Sequence, residues 1–262
     1  MIEVDHLTKR FSEFAAVNDI SFSVGSGEVF AFLGPNGAGK TTTIKMLTTL
    51  LHPTSGTVTI NGHDPVHDPN GARRSFGIVF QDPSVDDELT AFENLEVHGV
   101  LYGVPRATRR QRIAELLALV DLADRRDAFV KTFSGGMKRR LEIARGLLHH
   151  PAILFLDEPT LGLDPQTRNH MWSYIADLNT KEGMTIFFTT HYMEEADRAA
   201  SRVAIIDHGK IVATDTPAGI KAKAGVASLE DAFLQLTGTG MRSEEASDLD
   251  RIRQQRRAWT GR

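Results

Sequence analysis

The stretch Glu28-Val29-Phe30-Ala31-Phe32-Leu33-Gly34-Pro35-Asn36-Gly37-Ala38-Gly39-Lys40-Thr41-Thr42 carries two signals in direct succession. Val29 to Leu33 is continuously apolar, which reads as a short central strand covered on both faces. Gly34 to Thr41 follows at once and matches G-x-x-x-x-G-K-[ST] at every fixed position. Glycines let successive backbone N–H groups turn inward around a β-phosphate without Cβ clashes. The helix expected to start near Gly39 aims its N-terminal donors at the same anion. Lys40 supplies a mobile positive charge for the β- and γ-phosphates, and the Thr41 hydroxyl can ligate Mg²⁺. Gly34, Pro35, Asn36, Gly37, Ala38, Gly39, Lys40, Thr41 and Thr42 are therefore assigned to nucleotide binding. A dinucleotide fold would need G-x-G-x-x-G here, and Gly34-Pro35-Asn36 breaks it.

Outward from this stretch, strand and helix signals alternate. Residues 2–7 and 20–24 alternate apolar with polar, as half-buried antiparallel strands do. A helix is expected over residues 40–51, then a strand over 57–60 closed by the Asn61-Gly62 turn. Between residues 82 and 150 the periodicity becomes helical. Ile113, Leu116, Leu117 and Val120 form one apolar stripe, and Met137, Leu141, Ala144 and Leu148 form another. Strand-like runs return at residues 153–156, 185–188 and 203–206, with helical stretches such as 168–178 between them. Strands alternating with helices imply a parallel sheet. The expected fold is α/β: a phosphate-loop NTPase core with a mostly parallel sheet, an antiparallel β subdomain and a helical insert at 82–150.

The chain has 262 residues, 41% of them hydrophobic, enough to bury a core but with no apolar run of bilayer-spanning length and no secretory signal. A self-contained membrane channel is excluded on that reading. With no cysteine, thiolate zinc sites and cysteine nucleophiles are excluded too. A net charge of −4 provides no global field for nucleic acid or anionic lipid. Residues 228–236 could form a short helix, after which a polar tail runs to five arginines, Arg251, Arg253, Arg256, Arg257 and Arg262. The tail is expected to be solvated and disordered, although it could touch nucleic acid or acidic lipid.

Two further stretches carry chemistry. Residues 153–158 form an apolar strand ending in Asp157 and Glu158. A strand-end Asp beside a phosphate loop suits Mg²⁺ held through water, and the adjacent Glu158 can polarise an attacking water. Phe133-Ser134-Gly135-Gly136-Met137 precedes an amphipathic helix, with Ser134 as its natural N-cap. Taken alone, that stretch is either a capped helix start or an anion-binding turn.

The order of phosphate loop, Gln81, Ser134-Gly135-Gly136, Asp157-Glu158, Asp164 and His191 resembles the ATP-binding subunit of an ABC transporter. Residues 1–227 would then be one ATP-binding cassette and 228–262 a short helix and tail. The resemblance implies that two such subunits sandwich two ATP molecules, with Ser134, Gly135 and Gly136 of one capping the γ-phosphate held by Lys40 of the other. It places Phe11 as an adenine-stacking aromatic, with a core strand residue as the alternative. It makes Gln81 a contact to Mg²⁺ and the attacking water, Asp164 a residue that communicates across the dimer, and His191 a γ-phosphate contact. Phe133 and Met137 depart from the usual Leu and Gln at the ends of the signature.

The stretches 134–148, 189–197 and 228–238 are similar to the daunorubicin-resistance branch of drug exporters. That branch implies a separate integral-membrane permease as partner, a second ATP-binding subunit, and a cytoplasmic position on the inner face of the cell membrane. No specific nucleic-acid partner is expected. The rivals are a soluble ABC ATPase acting on nucleic acid or ribosomes, which generally has a coiled-coil insert or two cassettes, and an importer ATPase, which usually carries a β-rich regulatory domain after the core. About 35 residues after Ala227 are expected to be too few for that domain.

Overall fold

The computed structural model describes residues 1–82 and 84–238, so the readings for the arginine-rich tail lie outside the described residues. In chain order the first elements are β1 (Ile2–Phe11), β2 (Phe14–Val24), β3 (Val29–Leu33), α1 (Lys40–Leu47) and β4 (Ser55–Ile60). They are followed by α2 (Pro69–Ser75), β5 (Phe76–Val79), α3 (Ala91–Leu101), α4 (Arg106–Leu119) and α5 (Gly135–Leu147). Next come β6 (Ile153–Asp157), α6 (Pro165–Glu182), β7 (Thr185–Thr190), α7 (Met193–Ala199) and β8 (Arg202–Asp207). The last three are β9 (Lys210–Asp215), α8 (Pro217–Ala224) and α9 (Leu229–Thr237).

The strands form two sheets. One is antiparallel, ordered β2-β1-β4, and the other has six strands, ordered β5-β6-β7-β3-β8-β9. The pairs from β5 to β8 are parallel, and β9 closes the edge antiparallel to β8. All five residues of β3 are buried, because neighbouring strands flank it and both of its faces are covered. Its side chains alternate as a strand must. Phe30 and Phe32 point toward the antiparallel sheet with Phe155 and Phe187, where Phe22 of β2 stacks on Phe30 at 5.6 Å. Ala31 and Leu33 face the helices, joining Leu154, Leu156, Ile186, Phe188 and the apolar stripes of α4 and α5.

Stop signals explain where elements differ from their expected lengths. The helix read over residues 40–51 ends at Leu47, because Thr49 takes φ 66 and cannot continue a right-handed helix. Asn61 and Gly62 at φ 49 and 85 make the expected tight turn, bridged by Ile60 and His63. The seven-residue α2 had no apolar stripe to reveal it; Asp68 caps it by accepting from Gly71 N. Within residues 82–150, α5 runs along β5 so closely that a Cβ on Gly77 would strike the Gly146 carbonyl. Among the described residues no helix is long and apolar enough to cross a membrane.

Where α3 ends against the end of α5, Tyr102 is flanked by His98 at 4.6 Å and His149 at 4.0 Å between ring centroids. Burial pushes His98 down to about 3, aided by Arg145 and by His149. Burial likewise takes His149 down to about 4, with Arg112 and His150 adding to it and the bond to the Phe76 carbonyl opposing it. Both rings are neutral in the fold but bind protons in the unfolded chain below their ordinary value of 6.5. Stability therefore falls as pH drops from 6.5 toward 4, by about 2 kcal/mol per histidine at about pH 5. Urea midpoints at about pH 7.5 and pH 5 should show this loss, and the His98→Gln/His149→Gln double variant should show a smaller drop.

Candidate functional site

The phosphate-loop stretch leaves β3 at Leu33 and enters α1 at Lys40. Gly39, at φ 112, caps α1, and a Cβ there would lie 2.6 Å from the Ala16 carbonyl. A Cβ on Gly34 would strike the Ile206 carbonyl. Both glycines are thus required by the close approach of β2 and β8, as well as by any ligand. The loop is held by Ala38 N donating to the Pro35 carbonyl at 3.1 Å. Lys40 is buried, and its ammonium donates to the carbonyls of Gly34 at 2.6 Å and Pro35 at 3.2 Å. Burial lowers its affinity for its proton, while Glu158 and Asp157 act to hold the charge. Thr41 is exposed and Thr42 half-buried at the opening of α1.

Asp157 ends β6 and Glu158 follows it, beside this loop. Asp157 is buried and accepts the Thr189 hydroxyl at 2.6 Å. Glu158 is held at φ 51, a region that a residue with a Cβ seldom occupies. Its N–H donates to the carbonyl and hydroxyl oxygens of Thr189, at 3.2 and 3.1 Å. Its Oε2 lies 2.8 Å from His191 Nδ1 and accepts the His191 backbone N–H at 3.3 Å. The structure therefore brings Lys40, Asp157, Glu158 and His191 together.

The other expected residues lie apart from that group. Phe11 is 48% exposed at the end of β1, opposite Phe14, with the Lys9 ammonium 5.3 Å from its ring, so the alternative of a core strand residue does not hold. Gln81 is exposed just past β5, and among the described residues its side chain makes no hydrogen bond to another candidate. Ser134 caps α5 by accepting from Met137 N at 3.3 Å; Ser134 and Gly135 are exposed. Gly136 packs against α6, where a Cβ would lie 2.8 Å from Thr167 Cγ2. Asp164 caps α6, accepting from the N–H groups of Gln166 and Thr167 and from the Thr167 hydroxyl. Those bonds, the hydroxyl first, hold its carboxyl below the usual range.

Three supporting groups escaped the sequence reading. Thr189 orients both Asp157 and Glu158, and Arg139 donates to carbonyls at the same corner. Glu195, buried on α7, accepts the hydroxyls of Thr160 at 2.6 Å and Thr190 at 2.9 Å. It so ties the segment after Glu158 to the one before His191. Two consecutive threonines inside a fully buried strand were the available signal, since buried hydroxyls need partners.

A strand feeding a phosphate loop, an acidic strand end and a histidine at the next strand's end define a phosphate-loop ATPase. The sequence profile of the ABC transporter family matches residues 17–161, and the chain belongs to that family. It is similar to a daunorubicin/doxorubicin resistance ATP-binding protein of Streptomyces peucetius, 46% identical over 86% of this chain and 68% of the relative. A linearmycin resistance ATP-binding protein of Bacillus subtilis is 40% identical over 92% of this chain and 76% of its own. A Nod factor export ATP-binding protein of Ralstonia nicotianae is 42% identical over 83% and 67%. Among solved structures, an ATP-binding subunit of an ABC transporter matches with a TM-score of 0.83 at 32% identity, covering 91% of this chain and all of that one. A dimeric post-hydrolysis ATP-binding cassette bound to ADP and Pi matches with a TM-score of 0.74 at 27% identity, over 82% and 98%.

Replacing Gly39 by Ala forces a Cβ onto the Ala16 carbonyl at a left-handed φ. Its denaturation midpoint should fall by an amount equivalent to about 2–4 kcal/mol. A variant that remains as stable as the parent would show that the loop can move away from β2 without cost.

Proposed function

We propose that this chain is the ATP-hydrolysing subunit of an exporter and drives a drug-like or lipophilic compound through a separate integral-membrane permease. One observation carries the catalytic half of the reading: Glu158 and His191 are joined beside Lys40, at the end of a strand next to the phosphate loop. Resistance and export ATP-binding proteins are the relatives, which supports the direction of transport. Residues 1–227 form one cassette on this reading, with the helical insert near 82–150. The chain sits against the inner face of the membrane through its permease.

The residues divide the work as follows. Backbone N–H groups between Asn36 and Thr42 cradle the phosphates, Lys40 moves from its loop carbonyls to the β- and γ-phosphate oxygens, and Phe11 stacks on adenine. Glu158 accepts a proton from the attacking water. His191 Nδ1 donates to Glu158 Oε2 and fixes the direction of that carboxylate. With Nδ1 so used, Nε2 is the ring nitrogen left for a γ-phosphate contact. Mg²⁺ fits this donor set, because the Thr41 hydroxyl, Gln81 amide and Asp157 carboxylate are hard oxygen ligands. When bound, it neutralises phosphate charge during transfer.

Closure supplies what one chain lacks. Among the described residues, no hydrogen bond joins Ser134, Gly135 or Gly136 to the phosphate loop within the chain. A second subunit, identical or related, brings those donors to the γ-phosphate, with Asp164 near the join. The helical insert, reached through Gln81, passes closure to the permease.

The test is Glu158→Gln, which keeps shape and removes the base. Phosphate release should fall at least about a hundredfold while ATP still binds and an ATP-dependent dimer accumulates. Unchanged phosphate release would sink Glu158 as the base, and failure of any ATP-dependent dimer would sink the sandwich.

A further inference from the structure

Arg139, Glu142 and Arg145 recur at every third position of α5, beside its apolar stripe. Such a charged row ordinarily reads as a solvated face. Here Arg139 and Glu142 are buried, at 7% and 0% exposure. The Arg139 guanidinium donates to four backbone carbonyls at the exits of two strands. Nε reaches Pro159 O at 2.8 Å, Nη2 reaches Asp157 O and Glu158 O at 3.0 Å each, and Nη1 reaches Phe80 O. Nη1 also meets Glu142 Oε2 at 3.2 Å. The other Glu142 oxygen accepts the backbone N–H of Ser84 at 2.6 Å and its hydroxyl at 3.1 Å. Arg145 donates to the Ser84 carbonyl at 2.6 Å and to its hydroxyl oxygen.

A buried guanidinium is tolerated only when its planar fork of N–H groups is met by acceptors, so this cluster favours one arrangement of the three segments. One of those segments is under backbone strain. Glu158 at φ 51 persists only where its surroundings over-determine it. Thr189 fixes its N–H, and Arg139 fixes the carbonyls before, at and after it. Glu142 and Arg145 then fasten the same helix to the residues that follow Gln81.

We propose that Arg139 is a positioning residue for ATP hydrolysis: it holds the Glu158 corner through three carbonyls and, with Glu142 and Arg145, makes that corner and the segment after Gln81 move as one body. This rests on Glu158 being the base. The consequence is that displacement of the insert disturbs the base without touching the phosphate loop.

The experiment measures kcat and KM for ATP, melting temperature and the His191 imidazole proton resonances in Arg139→Lys and Glu142→Gln. Lysine keeps the charge, but a single ammonium cannot serve the carbonyls of residues 80, 157, 158 and 159 together. Arg139→Lys should lower kcat about tenfold or more, leave KM within about threefold, and shift the His191 resonances, because that ring sits on Glu158. Glu142→Gln retains the carbonyl bonds and should lower kcat by about threefold at unchanged KM, with the double variant no slower than Arg139→Lys alone. Wild-type kcat in Arg139→Lys overturns the proposal, as does a parallel collapse of kcat, KM and melting temperature, which is the mark of a merely structural role. If Arg139→Lys does not fold, Glu142→Gln decides: a lowered kcat at constant KM supports the proposal and an unchanged kcat overturns it. Glu158→Gln in parallel separates the two readings. Retained turnover there removes the base itself, whereas lost turnover with a normal Arg139→Lys removes the positioning role alone.

Discussion

The site depends on the register of three adjacent parallel strands. Leu33 of β3 lies level with Thr190 of β7, and Asp157 of β6 lies level with Thr189. The phosphate loop, the acidic pair and the histidine therefore leave the sheet at one edge and at one height, where ligands of open parallel sheets collect. A slip of one residue would turn every side chain to the opposite face. The cost of such a slip is set by the interior: Phe30, Phe32, Phe155 and Phe187 meet at 5.4–5.7 Å on one side. Truncating one such buried phenylalanine typically costs about 3–5 kcal/mol. Apolar packing thus sets the strand register, and the hydrogen bonds of Thr189, Glu195 and Arg139 act on a corner already placed by it.

How much of this was legible in the residues follows from the range of each signal. Residues 29–41 are strand, loop and helix in unbroken succession, and local chemistry alone identifies them. The acidic strand end was also local, since Asp157 and Glu158 close an apolar run. The pairing of Glu158 with His191 is not local. It arises because β6 and β7 are neighbours; Glu158 is legible from its own strand end, whereas the resemblance to the ABC family, not spacing, pointed to His191. Arg139 was illegible for a different reason. Periodicity reports which residues are apolar, and a buried cation off the apolar stripe looks the same as a solvated one until its acceptors are known. Helix α2 and the early end of α1 were decided by caps and single backbone angles, which carry little weight over a window of residues.

The two departures from the family signature have a structural account. Phe133 is 7% exposed and belongs to the same buried cluster as Leu141 and Ala144, while Met137 packs against that cluster. Both flanks therefore serve the seat of α5, and an aromatic or a thioether fills such a seat as well as other apolar groups do. What an anion would meet is different: the Ser134 hydroxyl, and backbone donors of Gly135 and Gly136 at a helix N-terminus. Gly135 has open space where a Cβ would be, whereas Gly136 has none because Thr167 stands against it. The side of the turn that faces away from its own chain is thus kept free of side chains, and the side that faces α6 is kept thin enough for Thr167 and Leu163 to pack close. Changes at the flanks alter how firmly α5 is seated, and they reach the exposed donors only by tilting the helix that presents them.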